Sequence, residues 1–299
     1  MTIAIAWVRR IRDCEELLFA ADSRLSGDGR IFDAAPKILA LSRNDCAIAF
    51  AGLTQDAFPM MLQLSLAIQS YGPTRRRSID LSELRSHVLK IFNGMSSLIS
   101  SDANVKGSPP DDMPSAEFLF GGYSWIKKEF VLWRIHFDRG LGRFVARESQ
   151  WAYFRPGESG LRISYLPKVE RMNALGRIAF AGDQWLNARL LFSAEMSRRR
   201  RAGEELSKMD LEPFDILVNM LRDVDKSSTI GGAPQLVKVY QYSKNVSFPI
   251  YWPNKVSGTV FLQGRPCVGY ERLDTMVLDP DNHSAPVSTG KYSGQPEII

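Results

Sequence analysis

Four short runs in the first 51 residues constrain this chain more than any other feature: Ile3-Ala4-Ile5-Ala6-Trp7, Leu17-Leu18-Phe19-Ala20-Ala21, Lys37-Ile38-Leu39-Ala40-Leu41 and Cys46-Ala47-Ile48-Ala49-Phe50-Ala51. Each is short, bounded by polar or turn-forming residues and, Lys37 apart, apolar throughout rather than alternating. A strand with one wet face shows a polar residue at every second position, so unbroken runs belong to a sheet covered on both faces. Residues 2–8 and 16–21 read as an antiparallel pair with 9–15 as the turn. Residues 37–41 and 46–51 make a second pair across Ser42-Arg43-Asn44-Asp45.

Helices follow. Residues 54–70 are rich in Met, Leu and Ala, with Pro59 confined to the first turns, and Tyr71-Gly72-Pro73 ends the segment. Asp80 caps a second helix and Glu83 completes a capping-box pattern, with Leu81, Leu84, Val88, Ile91 and Met95 on one core-facing side. Residues 100–114 read as a polar loop, and 117–123, 130–137 and 143–147 as a β-meander. A short strand at 178–181 leads through Gly182-Asp183, read as a cap, into a helix to Met196. Glu212-Pro213 opens another helix to Val224, and Gly231-Gly232 precedes a strand at 235–240. Strands, two helices, strands, two helices and a strand make an α+β order that two packed antiparallel sheets, each backed by a helix pair, would satisfy. The expected domain covers 1–242, and 243–299 form a C-terminal extension with a hairpin across 264–266 and a mobile polar tail.

Composition narrows the function classes. The net charge of +5 sits largely in Arg75-Arg76-Arg77 and Arg198-Arg199-Arg200-Arg201, which read as solvated helix ends, so a nucleic-acid partner is not expected. Cys14, Cys46 and Cys267 are odd in number and lack metal-type spacing, which points to free thiols in a reducing compartment. Three scattered histidines give no metal signal, neither Gly pair opens a phosphate-binding helix, and no cofactor is expected. The longest apolar runs fall short of a membrane span, and the early arginines follow an apolar run rather than precede one, so cytoplasm is the expected location.

The chemistry concentrates at the start. A hydroxyl nucleophile without a histidine beside it needs another base, and a terminal residue carries its own α-amine. Thr2 becomes such a residue if Met1 is removed, which its small side chain favours. Its amine, with a reference pKa of about 8, would be partly neutral near pH 7. The order of features is Thr2 on an apolar strand, Ala21-Asp22-Ser23-Arg24 ending the next, Lys37 before a third, and Ala51-Gly52-Leu53-Thr54-Gln55-Asp56-Ala57 opening a helix. This order resembles the proteasome β-subunits and the peptidase subunit of the bacterial two-component ATP-dependent protease, both N-terminal-nucleophile hydrolases. The resemblance is specific over the first sixty or so residues and looser to Val239.

That resemblance implies a four-layer αββα sandwich and a threonine peptidase or amidohydrolase. By it, Lys37 lies beside the Thr2 hydroxyl, Asp22 holds Lys37, Arg24 sits near the Asp, and the Gly52 N–H forms the oxyanion hole. Leu25, Ala35 and Phe50 would line an apolar pocket for the residue before the scissile bond. The chain departs from the family in three places. Asp183 stands where a Ser is usual, Ser227 or Ser228 stands in for an out-of-register Asp225, and Thr2 and Asp22 are four residues further apart than usual. By resemblance the partners are a peptide or amide substrate and further copies of the chain, in a ring or a smaller homo-oligomer, with an ATP-dependent unfoldase as an open possibility. The alternative is a catalytically inactive subunit of the same fold, acting as a scaffold or partner-binding protein.

Overall fold

A computed structural model describes residues 2–11, 14–27, 29–99, 113–224, 228–242, 244–256 and 258–283. The chain is a mixed α/β protein with several antiparallel sheets. In order it runs through β1 (Ile3–Ile11), β2 (Cys14–Ala21), the small hairpin β3 (Leu25–Gly27) and β4 (Arg30–Phe32), then β5 (Ile38–Ala40) and β6 (Cys46–Gly52). Helices α1 (Thr54–Ser70), α2 (Gly72–Arg75) and α3 (Leu81–Ser96) come next. They are followed by β7 (Ala116–Ser124), β8 (Glu129–Asp138), β9 (Arg143–Glu148), β10 (Gln150–Phe154) and β11 (Leu161–Ser164). A 3₁₀ segment (Lys168–Asn173) leads to β12 (Gly176–Gly182), α4 (Trp185–Arg201) and α5 (Glu212–Arg222). The described chain closes with β13 (Gln235–Tyr240), β14 (Lys244–Ser247), β15 (Ile250–Trp252), β16 (Thr259–Leu262) and β17 (Arg265–Pro266).

One sheet has the strand order β11-β10-β12-β1-β2-β13-β14 and another β5-β6-β7-β8-β9. Side-chain size sorts the faces of β1 and β6. Ile3, Ile5 and Trp7 of β1 share an apolar cluster with Phe192 and Met196 of α4 and Phe214 and Leu217 of α5. The intervening Ala4 and Ala6 share a second cluster with Ala47, Ala49 and Ala51 of β6 and Leu119 of β7. Ile48 and Phe50 join a third with Met60 and Leu64 of α1 and Leu84 and Val88 of α3. In β1 and β6, alanines line the contact between the sheets and bulky residues the contacts with helices, whereas β2 reverses this, with Phe19 between the sheets and Ala20 on the helix side. Both faces are apolar in each strand, which is why the runs do not alternate in polarity. Each fully buried large apolar side chain contributes roughly 1.5–3 kcal/mol.

Strand register brings distant residues to one end of these sheets. Ile3 pairs with Gly182 and Ala4 with Ala21, so Thr2, Asp22 and Asp183 meet where β1, β2 and β12 end. Ile38 pairs with Ala49, which sets Lys37 and Gly52 at the matching end of the second sheet.

The structure differs from several sequence expectations. Residues 9–15 are not all turn: β1 and β2 pair out to Ile11 and Cys14, with Arg9 opposite Glu16 and Arg10 opposite Glu15. These charges are cross-strand partners, Arg10 Nη2 lying 2.6 Å from Glu15 Oε1. Asp183 is not a helix cap, because the cap position belongs to Gln184 and the Asp183 carboxylate is engaged elsewhere. The β3–β4 and β10–β11 hairpins were not anticipated. Beyond residue 242, β14 pairs with β13 in the large sheet, and Ile250 and Leu278 join the cluster under α4 and α5. The loop expected at 100–114 lies mostly, and the tail beyond His283 wholly, outside the described residues. Among the described residues no helix is long and apolar enough to cross a membrane.

Candidate active site

Thr2, Asp22 and Lys37 form one buried constellation. Lys37 Nζ donates to Thr2 Oγ1 at 2.9 Å and to Asp22 Oδ1 at 2.8 Å. The Lys37 and Asp22 side chains are both 0% exposed. Lys37 is aimed from its backbone: its N–H donates to Gln235 Oε1, and its carbonyl accepts from Phe50 N–H. Gln235 spends its amide N–H groups on the carbonyls of Asp22 and Ala35. One buried side chain therefore ties β13 to the segments carrying the acid and the base.

Asp22 is held as tightly. Oδ1 accepts from Ile3 N–H as well as from Lys37, and Oδ2 from Arg24 N–H and Gly231 N–H. Burial pushes the Asp22 carboxyl up, with the Lys37 ammonium and the backbone donors working against that shift. Burial pulls Lys37 down, and Asp22, with smaller help from Asp183 and Asp33, opposes it. Each group keeps its charge through the other, so removing either leaves a buried, uncompensated ion.

Arg24 does not touch the Asp22 carboxylate through its guanidinium. It forms a two-pronged pair with Asp33, at 2.7 and 2.9 Å, and donates to the Ser228 carbonyl at 3.1 Å. It therefore fixes the strand that follows β2 against the segment preceding β13. The Ser228 hydroxyl accepts from Ile230 N–H at 3.4 Å, and the hydroxyl that reaches the site from this segment is that of Thr229. Ser227 and Asp225 lie outside the described residues.

Asp183 sits on the Thr2 nitrogen: Oδ1 accepts from it at 2.7 Å, and Oδ2 accepts from Thr229 Oγ1 at 2.7 Å. The preceding Gly182 has φ of +101°, and a Cβ there would collide with the Thr2 carbonyl oxygen. Glycine is what lets β12 close against Thr2.

Gly52 ends β6 with φ of +102°, where a Cβ would collide with the Ser115 carbonyl. Leu53 N–H donates to Ser115 O on the β7 side, and Phe50 N–H to Lys37 O on the β5 side. Alternation along an antiparallel ladder turns the Gly52 N–H to the β5 side as well, one step past the last bond to that strand. The Gly52 N–H therefore lies at the Lys37 end of the sheet. Leu25 and Phe50 pack in the same apolar cluster, Phe50 edge-on to Phe58 with ring centroids 5.7 Å apart. Ala35 is buried, its N–H donating to Ser23 O.

Sequence reasoning missed Gln235, Thr229 and Asp33. The available signal was a Gln at the head of a strand whose next two residues are Leu236 and Val237, where burial demands that its amide be fully bonded. Among the described residues no group of three or more potential metal ligands occurs. Compared with known proteins, the chain matches no family model and no curated relative.

Chemically, the arrangement offers a hydroxyl polarised by an ammonium, a carboxylate on the adjoining backbone nitrogen, and an N–H donor nearby. Those are the parts needed to make and stabilise an alkoxide attacking a carbonyl.

Proposed function

We propose that the protein is an N-terminal threonine hydrolase of peptides or other amides, with Thr2 as nucleophile after loss of Met1, on the four-layer αββα sandwich of the proteasome-like family. The observation that carries this reading is the buried Lys37 ammonium, 2.9 Å from Thr2 Oγ1 and 2.8 Å from Asp22 Oδ1. A lysine fully removed from water is costly unless paired, and here its second contact is a hydroxyl rather than another carboxylate. In this reading the freed amine takes the hydroxyl proton while Lys37 favours the alkoxide. The Thr2 oxygen adds to the scissile carbonyl, and the Gly52 N–H stabilises the oxyanion, a donor worth roughly 10²–10³ in rate. Collapse expels the amine product, protonated by the Thr2 ammonium, and water hydrolyses the ester with the same amine as base. Base assistance of this kind supplies about 10²–10⁴. Leu25, Ala35 and Phe50 shape an apolar specificity pocket, and a cytoplasmic homo-oligomer is the proposed assembly.

One observation favours a second reading, a non-catalytic scaffold: Thr2 is only 1% exposed. Intact mass of the cellular protein decides first, since a retained Met1 leaves no amine on Thr2. Covalent labelling by a peptide β-lactone or epoxyketone is expected at Thr2 and is lost in Thr2→Ala. A processed protein that reacts with neither would be the scaffold.

A further inference from the structure

A cavity of about 880 Å³ lies away from Thr2, at the opposite end of β1, with Val8 and Arg10 on its wall. From Thr2 to Val8 is six residues of strand, roughly 20 Å. Five cationic side chains line it, Arg10, Lys128, Lys168, Arg171 and Arg177, against two carboxylates, Glu15 and Glu129. Both carboxylates are already used: Glu15 by Arg10 at 2.6 Å, and Glu129 by Arg177 at 3.1 Å. Among the described residues, Lys128, Lys168 and Arg171 have no carboxylate partner, so the cavity carries an excess of three positive charges.

Three separate features set those charges in place. Lys168 and Arg171 are three apart in the 3₁₀ segment, where three residues make one turn and side chains at that spacing share a face. Lys128 holds the β7–β8 turn with φ of +55°, a backbone conformation uncommon for a residue with a side chain. Trp151 orders the guanidinium groups: Arg177 Cζ lies 4.7 Å and Arg171 Cζ 5.5 Å from its ring centroid. A guanidinium stacked on an indole keeps its in-plane N–H donors free for an oxyanion. Among the described residues, the Arg171 guanidinium donates through Nε alone, to the Leu166 carbonyl. The rest of the wall joins an apolar part, Phe130, Leu175 and Met172, to Tyr123 and Gln241, whose polar ends are bonded to each other.

Converging cations repel, and the repulsion is relieved by a ligand bearing two or more negative charges. The volume falls in the range of small-molecule sites, about 300–1,000 Å³. We propose that this cavity binds a phosphate-bearing small molecule, its phosphate oxygens on Lys128, Lys168 and Arg171 and its body on the apolar wall. The inference is independent of the role given to Thr2.

The test is calorimetric titration of the full chain with inorganic triphosphate at about 0.1 M salt, where exposed charges are screened beyond roughly 10 Å. Saturable one-site binding is expected, weakened at least tenfold in Lys168→Glu/Arg171→Glu. It should be unchanged in Arg75→Glu/Arg76→Glu, which alters net charge equally on another face. Thermal melts of both variants establish that each is folded. No saturable binding, equal loss in the two double variants, or binding of citrate as tight as triphosphate would each overturn the proposal.

Discussion

At the scale of single residues, Asp183 sets the pH at which the proposed chemistry runs. Its Oδ1 lies 2.7 Å from the Thr2 nitrogen, and Thr229 holds its other oxygen. Once that nitrogen is an amine, a carboxylate there favours the ammonium form, whereas Lys37 disfavours it. The other charged groups facing the site are engaged: Asp22 with Lys37, Glu117 with Arg134, and Arg24 with Asp33. The amine must be neutral to act as base, so Asp183 moves the reactive range upward from the ordinary value of about 8. The rate of β-lactone labelling against pH is therefore expected to shift to lower pH by on the order of one unit in Asp183→Ser. Superimposable wild-type and Asp183→Ser profiles would remove that role while leaving Thr2 as nucleophile untouched. Lys37→Ala, by contrast, is expected to abolish labelling at every pH and to lower stability by about 3–5 kcal/mol, because Asp22 is left as an unpaired buried charge.

Among the elements, α3 shows how local pattern and tertiary contact combine. Asp80 caps it, Oδ2 accepting from Ser82 N–H at 3.2 Å, and Glu83 Oε2 accepts from Asp80 N–H at 3.3 Å. Ser124, ending β7, donates to the same Asp80 carboxylate at 2.9 Å. Asp80→Ala is expected to cost about 1–2 kcal/mol, read as a lower urea midpoint with unchanged slope. Adding Ser124→Ala should cost less in that background than in the wild type; strict additivity would mean the two do not cooperate. This cap was legible in the sequence because its partners lie within three residues of one another. So were the central strands, whose double burial leaves unbroken apolar runs. The β10–β11 hairpin was not, since Trp151, Tyr153 and Phe154 are only half-buried around a single buried Ala152, and β11 exposes Arg162. Thr2, Asp22 and Lys37 could be singled out by their order along the chain. Gln235 reaches Lys37 across 198 residues and Thr229 reaches Asp183 across 46, through strand pairing and packing that no local pattern records. Asp183 was singled out but given the wrong local role, because its partner on Thr2 is equally remote in sequence.

For the molecule as a whole, the segment after β14 is fastened back onto the domain by a contact that responds to pH. Leu278 N–H donates to Pro249 O, and Tyr251 N–H to Leu278 O, joining this segment to β15. Five residues on, His283 Nε2 lies 2.6 Å from Asp215 Oδ1 on α5. The Asp215 carboxylate raises the His283 pKa above its ordinary 6.5, with Asp210 adding to the effect and burial and Arg9 opposing it. Asp215 itself is pushed up, first by burial and further by Glu212 and Asp210, with His283 holding it back. Both shifts have the same sign, so the docked pair binds more protons than the released pair. The His283 contribution is therefore complete below about pH 6.5 and is lost as pH rises through the raised value. Amide protection at Leu278 and Tyr251, corrected for intrinsic exchange, is expected to fall between pH 6 and pH 8.5. In His283→Ala it should start lower and stay level across the same interval. Protection in the wild type that holds constant over that range would show that Ile250, Leu278 and their apolar neighbours fasten the segment without the histidine.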